Sequence, residues 1–186
     1  CNTMHLAPTS PCLFCTLGRL LVVLLTSLCM FTGGCSSQLA QVPPMGWSTW
    51  TTFKCSINET LIYESIDALL QSGLATSGYN FILIDDCLAT SRNATTGIIE
   101  ADANKFPHGF RPIVDYAHSK KLRIGIYTSV GHTTCAGYVG SLHHEALDAQ
   151  TFHSWGFDLI KHDTCVDDEC TVRNGCVQNA TKRMRD

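Results

Sequence analysis

The stretch Phe157-Asp158-Leu159-Ile160-Lys161-His162-Asp163-Thr164-Cys165 is a short apolar run ending in a lysine, a carboxylate and a cysteine. Burying ionisable groups at the end of an apolar strand is costly unless they are paired or put to use. Side chains alternate along a strand, so Lys161 and Asp163 share one face and His162 points the other way. If that face lines a barrel mouth, Asp163 is placed to attack a substrate and Lys161 to hold it. The alternative is a buried Lys–Asp ion pair with a purely structural role.

Similar polar clusters follow other apolar runs. Residues 80–85 (Asn80-Phe81-Ile82-Leu83-Ile84-Asp85) read as a buried strand, followed by Asp86. Residues 123–127 read as the next strand and lead into Thr128-Ser129. Pro43-Pro44-Met45-Gly46-Trp47 leads stiffly into a short first strand, followed by Ser48. Residues 157–163 form the fourth. Between them lie three helical patterns. The first spans residues 61–70, with Ile62, Ile66, Leu69 and Leu70 on one stripe and Gly73 at its stop. The second spans 110–118, with Phe110, Ile113, Val114 and Ala117 inward. The third spans 142–155 and is ended by Gly156. Alternating strands and helices favour parallel strands with crossover helices. In such folds active sites lie at the carboxyl ends of the strands, where these polar clusters fall.

The composition narrows the function further. The net charge is −3 over 186 residues, and the basic residues are scattered, so nucleic acid is not an expected partner. No glycine-rich phosphate loop is present. Arg19 precedes an apolar run over residues 20–31, followed by Gly33, Gly34, Cys35 and Ser36. That order reads as a secretory signal peptide and leader over residues 1–40, with the catalytic portion over 41–186. The run is short for a membrane-spanning helix, so no stable membrane anchor is expected. A lipoprotein anchor at Cys35 is the alternative. Of eleven cysteines, six follow the leader: Cys55, Cys87, Cys135, Cys165, Cys170 and Cys176. Behind a signal peptide an even count reads as disulfides, with about 15 possible connectivities. Zinc is the alternative, without paired ligand spacing to support it. Sequons at Asn58, Asn93 and Asn179 agree with a secretory route ending in a lysosome or outside the cell.

Seven motifs occur in order: Met45-Gly46-Trp47, Asp85-Asp86-Cys87, Lys105-Phe106-Pro107-His108-Gly109, Gly125-Ile126-Tyr127, Thr134-Cys135-Ala136-Gly137, Asp148-Ala149-Gln150-Thr151-Phe152 and Lys161-His162-Asp163-Thr164-Cys165. The series resembles the α-galactosidases and α-N-acetylgalactosaminidases of glycoside hydrolase family 27. The resemblance implies an α/β fold, the first half of a (β/α)8 barrel of about four βα units, with the C-terminal half and a β-sandwich domain missing. It implies a retaining hydrolase acting through a covalent glycosyl-aspartate on terminal α-linked galactose of glycolipids, glycoproteins or oligosaccharides. Asp163 is then the nucleophile. Trp47 is the aromatic wall of the sugar site, Asp85 and Asp86 grip galactose hydroxyls, and Tyr127, Cys135 and Lys161 are further sugar contacts. The resemblance also pairs Cys55 with Cys87 and Cys135 with Cys165, and it leaves Cys170 and Cys176 to pair with each other. It implies no cofactor and no metal. The partner is an α-galactoside carbohydrate, and a homodimer is allowed for the full-length form.

Three departures stand out. His162 replaces a hydrophobic or aromatic residue and should face outward, toward the helices. Thr164 stands where Asn or Gly is usual. Lys121 replaces a glycine in the turn before the third strand, which should weaken that helix stop. The family's acid/base aspartate and the loop that reads the sugar's 2-position have no counterpart before Asp186. Half a barrel would expose two raw strand edges. These 186 residues alone are therefore expected to be unstable and inactive. The other readings are an inactive truncated isoform or sugar-binding pseudoenzyme, an α-N-acetylgalactosaminidase, and a disulfide-rich binding module.

Overall fold

The computed structural model describes residues 42–165 and 175–185. All but Val42 belong to one compact unit that starts at Pro43. The leader over residues 1–40 and Cys170 lie outside the described residues. Four strands form one parallel sheet: β1 (Gly46–Ser48), β2 (Phe81–Ile84), β5 (Arg123–Ser129) and β6 (Leu159–Asp163), in the order β1-β2-β5-β6. The helices are α1 (Trp50–Phe53), α2 (Glu59–Gln71), α3 (Arg111–Ser119), α4 (Glu145–Trp155) and α5 (Cys176–Arg185). A two-stranded antiparallel hairpin, β3 (Ser91–Arg92) and β4 (Ile99–Glu100), is inserted after β2. Among the described residues no helix is long and apolar enough to cross a membrane.

Ile82 and Ile84 of β2 and Ile124 and Ile126 of β5 are at most 1 % exposed and pack with Ile62, Ile66, Ile113, Val114 and Ala117 of α2 and α3. Alternation therefore sends Phe81, Leu83, Gly125 and Tyr127 to the opposite face. That face is crowded at its base. A Cβ on Gly125 would fall 2.9 Å from the Phe81 ring and 3.1 Å from Leu83. The apolar stripe read over residues 61–70 matches α2, whose first turn is capped by Asn58 Oδ1 accepting from Leu61 N at 2.9 Å. The strand over 123–127 runs two residues further, to Ser129.

Two boundaries differ from the sequence reading. The helix expected from Leu142 starts at Glu145, because residues 141–144 form a turn in which His144 N donates to Ser141 O and His143 has φ +65°. Its inner face is mixed: Phe152 joins the core, while Glu145 and Asp148 are buried two turns and one turn earlier, held by Arg183 and Arg92. The fourth strand starts at Leu159, two residues late. Phe157 instead packs against Phe110, and the Asp158 carboxylate accepts from Ile124 N at 2.8 Å and bonds His118 at 2.9 Å. Lys121 follows the end of α3 with φ +62°, the left-handed conformation that a glycine would adopt freely.

Both disulfides named from the resemblance are present, Cys55–Cys87 and Cys135–Cys165. Cys176 is also disulfide-bonded. The three sequon asparagines are exposed: Asn58 at the α2 cap, Asn93 in the hairpin turn and Asn179 on α5. Asn93 Nδ2 donates to Glu100 at 3.2 Å.

Candidate active site

In a parallel sheet, neighbouring strands point the same way, so their carboxyl ends converge. The register pairs Tyr127 with Lys161 and Ser129 with Asp163. Asp85 follows β2 directly. The sequence brings these positions from residues 85, 127 and 161–163 to one end of the sheet.

Lys161 is the hub. Its Nζ lies 3.0 Å from Asp85 Oδ2 and 3.4 Å from Asp163 Oδ2, and 4.8 Å from the centre of the Tyr127 ring. The two carboxylates sit in different surroundings. The Asp85 side chain is 4 % exposed, that of Asp163 37 %. Asp85 Oδ2 also accepts from Ser48 Oγ at 3.1 Å, Oδ1 accepts from Asp86 N, and Asp85 N donates to Thr49 Oγ1. Asp86 is held as firmly: Oδ1 accepts from Cys87 N at 2.6 Å and Oδ2 from Ala136 N at 2.8 Å. Asp163 Oδ1 accepts from Thr164 N at 2.8 Å.

The Tyr127 hydroxyl lies 3.4 Å from Cys165 Sγ. Its pKa is raised well above the ordinary phenol value, first by burial and then by the negative carboxylates of Asp86 and Asp163. Tyr127 is therefore a neutral hydrogen-bonding group at any physiological pH. Cys135 is bridged to Cys165, so the loop after β5 is tied to the end of β6 beside Asp163.

Trp47, the aromatic wall named from the resemblance, lies half-buried on β1. It pairs in register with Ile82, so it shares the helix-facing side of the sheet, where its ring meets Phe53 edge-on at 5.9 Å. Its neighbour Ser48, in register with Leu83, takes the mouth-facing position. The tryptophan at the carboxyl end of β1 is Trp50, the first residue of α1, whose N–H is 3.5 Å from the Ser48 hydroxyl that binds Asp85. The Trp50 ring itself lies under Lys54, whose Nζ is 4.9 Å from the ring centre.

His162 takes the helix-facing side, as expected from alternation. Neither ring nitrogen has a hydrogen-bond partner, and both are buried. Its pKa is lowered by burial, which outweighs the raising effects of the Ser129 backbone, Glu145 and Asp148; Arg183 adds a smaller lowering effect. Two further contacts join residues of the sequence motifs to distant segments. Arg92 grips Asp148 with both guanidinium nitrogens at 2.6 Å and also donates to Gly97 O and Gly140 O, fastening the hairpin to α4. Lys105 reaches three loops at once. Among the described residues no cluster of three or more His, Cys, Asp or Glu could hold a metal ion.

Comparison with known proteins identifies the family and the fold. A family model described as alpha-galactosidase A matches residues 42–184. The chain is 47 % identical over 128 residues to alpha-galactosidase A of Cellvibrio japonicus, covering 69 % of this chain and 31 % of that protein. It is 48 % identical over 128 residues to alpha-galactosidase 2 of Arabidopsis thaliana, covering 68 % and 32 %. Among solved structures, alpha-galactosidase I of Mortierella vinacea superimposes with a TM-score of 0.72 at 36 % identity, covering 81 % of this chain and 40 % of that one. The Saccharomyces cerevisiae enzyme with raffinose gives 0.70 at 34 % identity, covering 80 % and 34 %. The chain thus spans about a third of the length of the curated relatives it matches. Its four parallel strands are part of the (β/α)8 barrel of these neighbours, and the chain belongs to the alpha-galactosidases of glycoside hydrolase family 27.

Proposed function

We propose that this chain supplies the nucleophile and the galactose-holding side chains of a retaining α-galactoside hydrolase. The observation that carries the reading is the Lys161 ammonium set between Asp85 at 3.0 Å and Asp163 at 3.4 Å. Asp163 is the carboxylate that solvent and substrate can reach. It attacks the anomeric carbon from the face opposite the leaving oxygen and forms a glycosyl-aspartate. Water then attacks the same carbon from the other face, so the released sugar keeps its α configuration. The leaving oxygen takes its proton from a second carboxyl group, which we assign outside residues 42–165. Asp85 and Asp86 cannot take that part easily, because their oxygens are already bound by Lys161, Ser48 and backbone N–H groups. They act instead as fixed acceptors for sugar hydroxyls. Trp47, on β1, is proposed as the aromatic wall of the sugar site, as the resemblance implies. Exposed sequons and two disulfides support passage through the secretory pathway.

The test uses the longest natural chain that carries this sequence, expressed through a secretory host. An aryl α-galactoside should be hydrolysed, with the α-anomer of galactose formed first by NMR. A fluorinated galactosyl fluoride should label Asp163 in peptide mass spectrometry. Turnover that survives Asp163→Asn unchanged would refute the reading.

A further inference from the structure

We infer that Lys105 is a positioning residue for sugar recognition: it holds in place the two backbone N–H groups that aim Asp86. The inference rests on the sugar-binding role given to Asp86 above.

Lys105 has a fixed root. Its N–H donates to Asp102 O at 3.0 Å, its carbonyl accepts from Glu59 N at 2.8 Å, and Phe106 next to it is 1 % exposed. From there its Nζ donates to Cys55 O, to Cys87 O and to the Tyr138 hydroxyl, each at 3.1 Å. An ammonium group has three protons to donate. All three are accounted for, and all three acceptors are neutral. The charge also lies 4.9 Å from the centre of the Tyr138 ring. These acceptors belong to three separate segments: the loop between α1 and α2, the end of β2, and the loop after β5.

Two of those segments carry the donors that grip Asp86. Cys87 has φ +76°, a left-handed conformation unfavourable for any residue but glycine. Its N–H donates to Asp86 Oδ1 at 2.6 Å, and the left-handed φ directs its carbonyl, which accepts from Lys105 Nζ at 3.1 Å. On the other side, Tyr138 closes a tight turn with Thr134, through Thr134 N to Tyr138 O at 2.8 Å and Tyr138 N to Thr134 Oγ1 at 3.0 Å. The tip of that turn, Ala136, donates to Asp86 Oδ2 at 2.8 Å. One side chain therefore ties down the strained peptide behind one carboxylate oxygen and the turn behind the other. Lys105 touches neither Asp163 nor the place where the glycosidic bond breaks, so its effect falls on binding and not on the chemical step.

The experiment compares wild type, Lys105→Met and Lys105→Arg in the longest natural chain carrying the sequence. Galactose inhibition constants, KM and kcat are read on an aryl α-galactoside, with kcat normalised to Asp163 labelled by the fluorinated galactoside. Lys105→Met should raise the galactose inhibition constant and KM about tenfold, the size expected for losing one oriented hydrogen bond. Normalised kcat should change less than about threefold, and Lys105→Arg should recover most of the loss. A merely structural lysine would lower the labelled fraction and leave the inhibition constant within twofold; that result overturns the inference. If Lys105→Met yields no folded protein, Tyr138→Phe removes one acceptor alone and should raise the inhibition constant about threefold, an unchanged value again overturning it. If wild type binds no galactose, the functional reading falls by itself. Hydrogen exchange of the peptide containing Cys87 then decides: faster exchange in Lys105→Met supports the clasp, and equal exchange rejects it.

Discussion

The ends of β2 and β6 face each other across Lys161, yet they are built on opposite plans. The β2 end is closed. Asp85 and Asp86 are 3 % and 2 % exposed, and their carboxylate oxygens accept from backbone N–H groups, Ser48 or Lys161. The β6 end is open. Lys161 and Asp163 have side chains more than a third exposed, and β6 is an edge of the sheet among the described residues. A carboxylate that must recognise hydroxyl geometry gains from being held still, since its acceptor directions are then fixed before the sugar arrives. A carboxylate that must form a bond to carbon has to be reached. Under the proposed function, this contrast favours recognition at the β2 end and chemistry at the β6 end.

The largest expected effect breaks the β6 end alone. Asp163→Asn keeps the shape and the Thr164 contact but removes the attacking charge. Turnover should fall by roughly 10⁴–10⁶-fold, the scale seen when a nucleophile is lost. Galactose binding, set by the intact β2 end, should change less than about threefold. A matching loss of binding would mean that the two ends do not divide the work.

The two disulfides sharpen the contrast at equal thermodynamic cost. Cys55–Cys87 closes 32 residues and Cys135–Cys165 closes 30, so each should contribute roughly 3–4 kcal/mol by loop entropy. Replacing either pair by alanine should shift the denaturant midpoint by a similar amount. The kinetic signatures should differ. Loss of Cys55–Cys87 loosens the peptide behind Asp86 and should act mainly on KM. Loss of Cys135–Cys165 frees the end of β6 and should act on kcat as well. Identical kinetic profiles would argue against separate roles.

Much of this arrangement was legible in the sequence, for a simple reason. Residues 80–85 and 123–127 are apolar runs too continuous for a half-exposed strand, and parallel strands must bring their carboxyl ends together. Asp85, Asp86, Tyr127, Lys161 and Asp163 therefore had to converge once those runs were recognised. What the sequence could not show depended on pairing. Which way Trp47 faces is set by its register with Ile82, and register is not local. The start of α4 was misplaced because Glu145 and Asp148 are buried by virtue of arginines 38 and 56 residues away, so no apolar stripe marks its first turns. The three-way reach of Lys105 is likewise a contact among segments that only the folded chain brings together.

His162 tests the buried side of the β6 end. Its neighbours there are Glu145 and Asp148 of α4, Arg183 of α5 and the Ser129 backbone of β5. Its folded pKa lies below the ordinary histidine value, with burial the main cause. Its neutral form is therefore favoured by folding. The protein should hold its full stability above the unfolded pKa of about 6.5 and lose stability as pH falls below it. His162→Phe removes the titration and two unpartnered ring nitrogens. It should be more stable than wild type by about 1–2 kcal/mol near pH 5, with a smaller gain at pH 8. Melting curves across that range check the slope, and equal pH dependence in both proteins would show that other groups control it.

The smallest effect lies at the far end of the sheet, where neither plan applies. Lys121 follows the last turn of α3 with φ +62°; its N–H donates to His118 O at 2.9 Å and Leu122 N donates to Ala117 O at 3.0 Å. This is the position after a helix at which glycine is favoured. A side chain there costs roughly 1–2 kcal/mol, against about 0.5–1 kcal/mol of extra chain entropy that glycine loses on folding. Lys121→Gly should therefore stabilise by about 0.5–1 kcal/mol, read as a higher denaturant midpoint with an unchanged slope. Because Lys121 precedes β5 at its amino end, kcat and the galactose inhibition constant should both stay at their wild-type values. A change in either would mean that the mouth depends on how β5 begins. The loops and disulfides that clasp its carboxyl end would then not be enough to set the site.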